Sequence, residues 1–276
     1  MPLRVAIPAA ILGCVVAFAL FGGWLTPHAF DESALLARNR PPVFLGGDWT
    51  HPLGTDALGR DLLARLVVGT RVSIGLALVG TVLGAFLGCA LGLLAARSPA
   101  PVDAAITGLI DLQAAIPFMI VALAVLAIFG GGLGLFVVLL GIYGWETFAR
   151  LARNNALSAH TMPFVEAARA NGVRPWVIDL RHVLPTILGI VIVQATLNFP
   201  QTILLETGLS FLGLGVQPPL TSLGQLLGEG RDSLSRAWWL AVFPGSLIFL
   251  TTLSVSLLGD ALRDRLDLGL RSAPTR

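Results

Sequence analysis

Six stretches of the sequence are apolar for long enough to cross a lipid bilayer as helices. A spanning helix needs about 20 predominantly apolar residues. The stretches are Val5–Leu25, Val72–Ala96, Ile106–Phe129, Leu133–Phe148, Thr186–Leu205 and Trp238–Leu258. We therefore predict an all-α polytopic membrane protein with six transmembrane helices.

The composition agrees with this interpretation. Apolar residues make up 55% of the 276 residues and charged residues only 12%, whereas soluble domains carry about 25% charged residues. No repeat or linker marks a second domain, so the prediction is a single transmembrane domain over residues 1–276.

The first apolar stretch could instead be a signal peptide, with Arg4 before it and Ala17-Phe18-Ala19 as a cleavage site. The apolar run is longer than the usual signal-peptide core of 7–15 residues. We therefore favour an uncleaved first helix.

Arginine placement predicts the orientation. With the N-terminus inside, eleven arginines fall on the cytoplasmic side and seven outside, which follows the positive-inside rule. Both termini and the loop 150–185 are then cytoplasmic, and the loops 26–71 and 206–237 lie outside.

All 18 basic residues are arginine, since the sequence contains no lysine. A Walker A phosphate-binding loop requires a lysine, and so does Schiff-base catalysis. Any ATP-driven work must therefore come from a partner.

Other chemistry also lacks support. The net charge of +2 and the absence of a basic stripe argue against nucleic-acid binding. The two cysteines lie inside apolar runs and the four histidines have no metal-ligand spacing, so we predict no metal site: Cys14, Cys89, His28, His51, His160, His182.

Four glycines in the second stretch are spaced four residues apart: Gly80, Gly84, Gly88 and Gly92. This spacing forms a flat helix face that allows another helix to approach closely. The neighbour could be a helix of the same chain or a partner subunit.

Four acidic residues lie within or at the ends of the stretches: Asp111, Glu146, Glu206 and Asp260. Such residues are costly in a bilayer, and snorkelling or an arginine partner would accommodate them. Glu146 is spaced for an ion pair with Arg150. No series of carboxylates crosses the membrane, so a proton relay has little support.

The loop 26–71 contains a second helix signal. Thr55 or Asp56 can cap a helix that extends through Leu66, with an ion pair between Asp61 and Arg65. An apolar stripe on this helix suits packing over the spans or contact with a partner: Leu58, Leu62, Leu66.

The cytoplasmic loop predicts a hairpin of two short helices. Pro163 opens the first helix, which Asn171-Gly172 terminates with a left-handed cap. Pro175 opens the second, which covers Trp176–Val183 and ends before Pro185. The hairpin could be a stiff connector or a docking element.

This loop resembles the EAA loop of bacterial ABC-importer permeases. The matching residues are Glu166, Ala167, Ala168, Gly172, Leu184 and Pro185. His182, within Arg181-His182-Val183, resembles the variant of the dipeptide, oligopeptide and nickel branch. The resemblance implies that the loop is the coupling helix that docks into the ATP-hydrolysing subunit.

Three further segments are similar to the second permease subunit of that branch. They are His51–Asp61, Leu209–Val216 and Leu258–Asp264. The resemblance implies a permease of the bacterial cytoplasmic (inner) membrane that pairs with a second, homologous permease. Two ABC ATPase subunits and an extracytoplasmic substrate-binding protein would complete the importer, with ATP and magnesium bound by the ATPases and no cofactor in this chain.

Three alternatives remain. A nickel permease of the same branch is one, although no histidine lies within a predicted span. An intramembrane serine protease would need a base near Ser210, and the spans offer no histidine. A secondary transporter would show a broken helix pair and buried carboxylates, and the sequence shows neither.

Overall fold

The computed structural model describes the backbone of residues 3–271 and the side chains of residues 4–265. Over these residues the fold is helical, with an isolated bridge between Thr55 and Asp61 in place of any β-strand. The helices are α1 (Leu3–Phe21), α2 (Leu62–Arg97), α3 (Ala100–Ala115), α4 (Phe118–Phe129), α5 (Leu133–Ile142), α6 (Trp145–His160), α7 (Pro163–Ala170), α8 (Pro175–Ile178), α9 (Leu184–Phe211), α10 (Leu223–Arg231) and α11 (Trp239–Arg271).

Five helical segments are long and apolar enough to cross a membrane, and a sixth arises if the bent pair α3–α4 counts as one span. The five are Arg4–Leu25, Leu62–Arg97, Leu133–His160, Pro175–Phe211 and Trp239–Arg265. The predicted all-α membrane fold is therefore confirmed. The arginine distribution predicts a cytoplasmic C-terminus. That terminus, Arg276, lies outside the described residues.

The third predicted span is not the continuous helix that we expected over Ile106–Phe129. It breaks into α3 and α4, which are bent by 86°. Ile116 has extended backbone angles, φ −100° and ψ 129°. The ring of Pro117 disfavours a helical conformation at the preceding residue, so the chain turns at this point.

Most helices extend beyond the predicted stretches. The helix around Val72–Ala96 begins at Leu62, because the Asp61 carboxylate accepts a hydrogen bond from the Ala64 amide and caps it. The predicted span Leu133–Phe148 comprises α5 and the start of α6. Because α6 continues to His160, the first residues assigned to the loop 150–185 are helical. A local break separates α5 from α6 at Gly144, where φ is +79°.

The long helix α2 is central to the bundle. It packs against α5, α6 and α9, and its contact with α6 is the most extensive between any two described helices. Helix α11 packs against α1, α9 and α10.

The glycine face of α2 explains this close contact. Gly80, Gly84, Gly88 and Gly92 are all buried, facing α5 and α6 of the same chain. A Cβ atom added at Gly88 would lie 2.6 Å from the Phe148 Cβ. Since real Cβ atoms do not approach so closely, the glycines set the distance between these helices.

Candidate functional site

The hairpin that the sequence predicts on the cytoplasmic side begins directly after α6. Pro163 occupies the first position of α7, where its missing N–H costs nothing. The helix ends with Gly172 at φ +72°. The Gly172 amide donates to the Arg169 carbonyl at 2.9 Å and the Val173 amide to the Ala168 carbonyl at 3.1 Å, which is the left-handed cap predicted from Asn171-Gly172.

The second half of the hairpin differs from the prediction. Pro175 starts α8 as expected, but the helix does not end before Pro185. It passes through one π-helical turn, Asp179–Val183, and continues directly as α9. Proline would clash with the carbonyl four residues earlier in a regular helix, and the wider π turn accommodates it.

The EAA-type residues lie mostly on the outer face of the hairpin. Glu166, Ala167 and Gly172 are exposed, as is Pro185. Ala168 is buried and belongs to the apolar core beneath the hairpin. Leu184 is half-buried and packs against that core. The His182 ring is half-buried, 6.5 Å from the Phe164 ring.

Exposed apolar side chains accompany these residues on the hairpin. Phe164 is 42% exposed, Trp176 50% and Leu180 55%. Large apolar side chains grouped on one surface element are typical of a site that another protein covers.

The opposite face of the hairpin is fixed to the bundle. Val165, Ile178 and Val183 are essentially fully buried. They pack with Ala156 and Ala159 of α6 in one apolar cluster. The hairpin therefore has an apolar attachment to α6 on one side and an open surface on the other.

Asp179 adds a polar attachment that sequence reasoning missed. Its carboxylate is buried in the π turn, 2.8 Å from the His160 Nε2 atom at the end of α6. The Arg97 guanidinium at the end of α2 lies 3.5 Å away. Both partners are far away in the sequence, so no local pattern indicated the contact.

The sequence predicts that the end of the bundle opposite the hairpin faces outward, and the segment before α2 carries a buried ionic network there. Arg65, which is 2% exposed, donates to Asp56 at 2.7 Å and to Glu229 of α10 at 3.1 Å. Arg60 donates to the same Asp56 at 2.6 Å. The network joins the segment before α2 to α10.

Two predictions for this segment are wrong. Neither Thr55 nor Asp56 caps the helix, because Asp61 does so. Asp61 also pairs with His51 at 3.0 Å, so the expected ion pair with Arg65 does not form. The predicted apolar stripe is divided, since Leu62 and Leu66 are buried whereas Leu58 is 45% exposed.

Among the described residues Glu206 has no arginine partner, contrary to expectation. It is fully buried, and its carboxylate accepts a hydrogen bond from the Ser210 hydroxyl at 2.8 Å. The hydroxyls of Ser73 on α2 and Ser222 at the start of α10 lie near it. A single carboxylate thus connects α2, α9 and α10.

Two of the other acidic residues, Asp111 and Glu146, differ in whether they form an ion pair. Asp111 does have an arginine partner, Arg150 of α6, at 3.0 Å. Because Arg150 is engaged there, the expected pair with Glu146 does not form, and Glu146 lies next to Thr147 at 3.4 Å.

These features define a polytopic helical membrane protein with a helical hairpin packed against its bundle. The chain belongs to the family described as binding-protein-dependent transport system inner membrane component, whose model matches residues 88–272. It is a permease subunit of an ABC importer, a transport subunit rather than an enzyme.

Characterised relatives agree over almost the full length. The di/tripeptide transport system permease protein DppC of Pseudomonas aeruginosa is 40% identical over 94% of this chain and 86% of its own length. The glutathione permease protein GsiD of Pectobacterium atrosepticum is 39% identical, over 94% and 84%. The oligopeptide permease protein OppC of Escherichia coli K12 is 34% identical, over 96% and 87%.

Solved structures share the fold at lower sequence identity. A chain of the inward-facing MetNI methionine ABC transporter superposes with a TM-score of 0.53 at 20% identity, over 72% of this chain and 96% of that chain. A second crystal form of the same transporter gives a TM-score of 0.55.

Proposed function

We propose that this permease forms half of the translocation path of an importer for di- and oligopeptides and that its cytoplasmic hairpin transmits ATP-driven motion to the path. The observation that carries the proposal is the two-sided hairpin. Its buried face is fixed to α6, and its outer face presents Glu166, Gly172 and Trp176. The names of the characterised relatives support peptides as the substrate class.

The importer would contain four further subunits of three kinds. A second, homologous permease completes the path, two ABC ATPases bind the hairpins, and an extracytoplasmic binding protein delivers substrate. ATP and magnesium belong to the ATPases, and this chain requires no cofactor of its own. Both termini face the cytoplasm, as the arginine distribution predicts.

Coupling requires an element that both the ATPase and the path contact. The hairpin meets this requirement because α8 continues through the π turn into α9 without a flexible joint. A displacement of α7 and α8 would therefore move α9 directly. Closure of the ATPases would shift the hairpins and open the path to alternate sides of the membrane.

The coupling role is tested by Glu166→Lys and Gly172→Asp in the complete transporter. Both positions lie on the exposed face, and a Cβ at Gly172 would meet no atom within 4 Å. Both variants should insert normally, yet lose ATPase co-purification and peptide uptake. Gly172→Asp also strains a backbone with φ +72°.

Glu32→Lys is the matched control, because Glu32 is an exposed acidic residue of the outer loop. It should retain ATPase co-purification. Wild-type uptake by hairpin variants would contradict the coupling role.

The substrate class is tested by uptake in a strain that lacks the transporter. Cells supplied with the complete set of subunits should accumulate a labelled dipeptide but not labelled nickel. Nickel uptake without dipeptide uptake would overturn the peptide assignment.

A further inference from the structure

A cavity of about 400 Å³ opens where the third span is broken. Its walls include Pro117 and Phe118 at the start of α4, Tyr143 at the end of α5, and Gln201 and Leu204 of α9. Its volume is within the range of small-molecule sites, and no charged side chain lines it.

Two breaks in helical backbone lie at this cavity. The chain breaks at Ile116–Pro117 and again at Tyr143–Gly144. Helix α9 is continuous beside it, although its buried Pro200, next to Gln201, cannot donate a backbone hydrogen bond. At membrane depth, irregular backbone is tolerated only where it is buried in protein or lines a water-filled cavity.

The polar side chains on this side of the bundle point to the same environment. Gln201 is exposed in the middle of an apolar helix, where contact of its amide with lipid would be costly. Helices α3 and α6, which flank the two breaks, share the ion pair Asp111–Arg150 with both side chains more than half exposed. An exposed ion pair within spans favours water or protein over hydrocarbon.

We infer that this cavity is a subsite for the main chain of the transported peptide, with Gln201 and Tyr143 as its polar contacts. The inference rests on the proposed peptide-import function. A glutamine amide offers a donor and an acceptor in one group, which matches the N–H and C=O of a peptide bond. The tyrosine hydroxyl adds one more donor or acceptor.

The residues that line the cavity should select only weakly among the side chains of transported peptides. A fixed charge would favour one terminus or one charged side chain of the peptide, and this cavity has none. Its apolar walls, which include Phe118 and Leu204, accept side chains of different shapes. The contacts therefore recognise the amide groups that all peptides share.

The first test is dipeptide uptake by the complete transporter in proteoliposomes carrying Gln201→Leu or Tyr143→Phe. Uptake should fall by about tenfold for Gln201→Leu, as expected for the loss of about 1.4 kcal/mol. Co-purification of the ATPase shows whether each variant still assembles with its partners. Gln113→Leu, a glutamine of α3 outside the cavity, is the matched control and should transport normally.

The second test separates recognition of the main chain from general damage. An N-methylated dipeptide lacks the amide hydrogen that Gln201 would bind. The uptake ratio of normal to N-methylated peptide should be smaller for Gln201→Leu than for wild type with the same binding protein. An equal ratio in the two proteins would overturn the subsite.

A third measurement reports access to the cavity. Gln201→Cys, in a chain carrying Cys14→Ser and Cys89→Ala, should react with a water-soluble thiol reagent, and peptide-loaded binding protein should slow the reaction. No reaction would place residue 201 away from water and contradict the inference. Absence of ATP-driven dipeptide uptake by wild type would instead reject the proposed function itself.

Discussion

The His160 Nε2 atom lies 2.8 Å from the Asp179 carboxylate, and this contact joins the end of α6 to the π turn that leads into α9. Arg97 at the end of α2 approaches the same carboxylate to 3.5 Å. Three helices therefore converge on one buried side chain at the base of the hairpin. The position of the hairpin depends on this carboxylate as well as on its apolar contacts.

Replacing Asp179 should weaken coupling between ATP hydrolysis and transport. Asp179→Ala leaves Arg97 and His160 without their shared partner, and losing the partner of a buried hydrogen-bonding group costs about 1–3 kcal/mol. We expect a lower unfolding temperature in detergent and more ATP hydrolysed per peptide transported. Asp232→Ala is the control, since Asp232 forms only an exposed pair with Arg231, and both quantities should stay near wild type.

The glycine face of α2 should tolerate no side chain. Gly88→Ala places a Cβ 2.6 Å from the Phe148 Cβ, so α2 and α6 must separate. Overpacking of this kind costs about 1–3 kcal/mol. Gly75→Ala is the matched control in the same helix, because a Cβ there meets no atom within 4 Å. Thermal unfolding of the purified permease should show a loss only for Gly88→Ala, and equal stabilities would refute the packing argument.

Local signals predicted the first half of the hairpin. Proline at the start of α7 and glycine after its end are requirements of the backbone itself, so Pro163 and Gly172 could be recognised from the sequence. The partners of Asp179 could not, because they are set by how distant helices pack. Glu206 differs again: its partners are hydroxyl groups, which leave no charge pattern in the sequence.

The break in the third span has a signal in the sequence, but that signal does not distinguish a broken helix from a continuous one. Pro117 interrupts the apolar run Ile106–Phe129, but prolines also occur in continuous transmembrane helices. Hydropathy alone counts the run as one span. The 86° bend depends on how α3 and α4 pack against α6 and α9, which is tertiary information.

The outer ionic network should hold α10 against α2. Arg65→Leu removes the buried guanidinium that joins Asp56 to Glu229 and leaves only Arg60 to pair with the two carboxylates. We expect a loss of about 1–3 kcal/mol, because buried hydrogen-bonding groups lose a partner. We expect faster proteolysis of the segment around α10 in right-side-out vesicles. Arg231→Leu, which removes an exposed arginine of α10 itself, should leave the proteolysis rate unchanged, and equal rates for the two variants would contradict this role.

Glu206 should couple the position of α10 to that of α2 and α9. Its carboxylate accepts a hydrogen bond from Ser210, and the hydroxyls of Ser73 and Ser222 approach it from other helices. Ser222 also caps α10, since its hydroxyl accepts from the Gln225 amide.

Glu206→Ala and Ser222→Ala, alone and combined, form a double-mutant cycle for this contact. Each single variant removes the contact between the Glu206 carboxylate and the Ser222 hydroxyl. The two losses of stability should therefore not add, and the interaction energy should be about 0.5–3 kcal/mol. Thermal unfolding of the purified permease measures the cycle. Thr252→Ala combined with Glu206→Ala is the reference pair, because Thr252 donates only within α11, and its effects should be additive. Additive losses for Glu206 and Ser222 as well would show that the carboxylate does not hold α10.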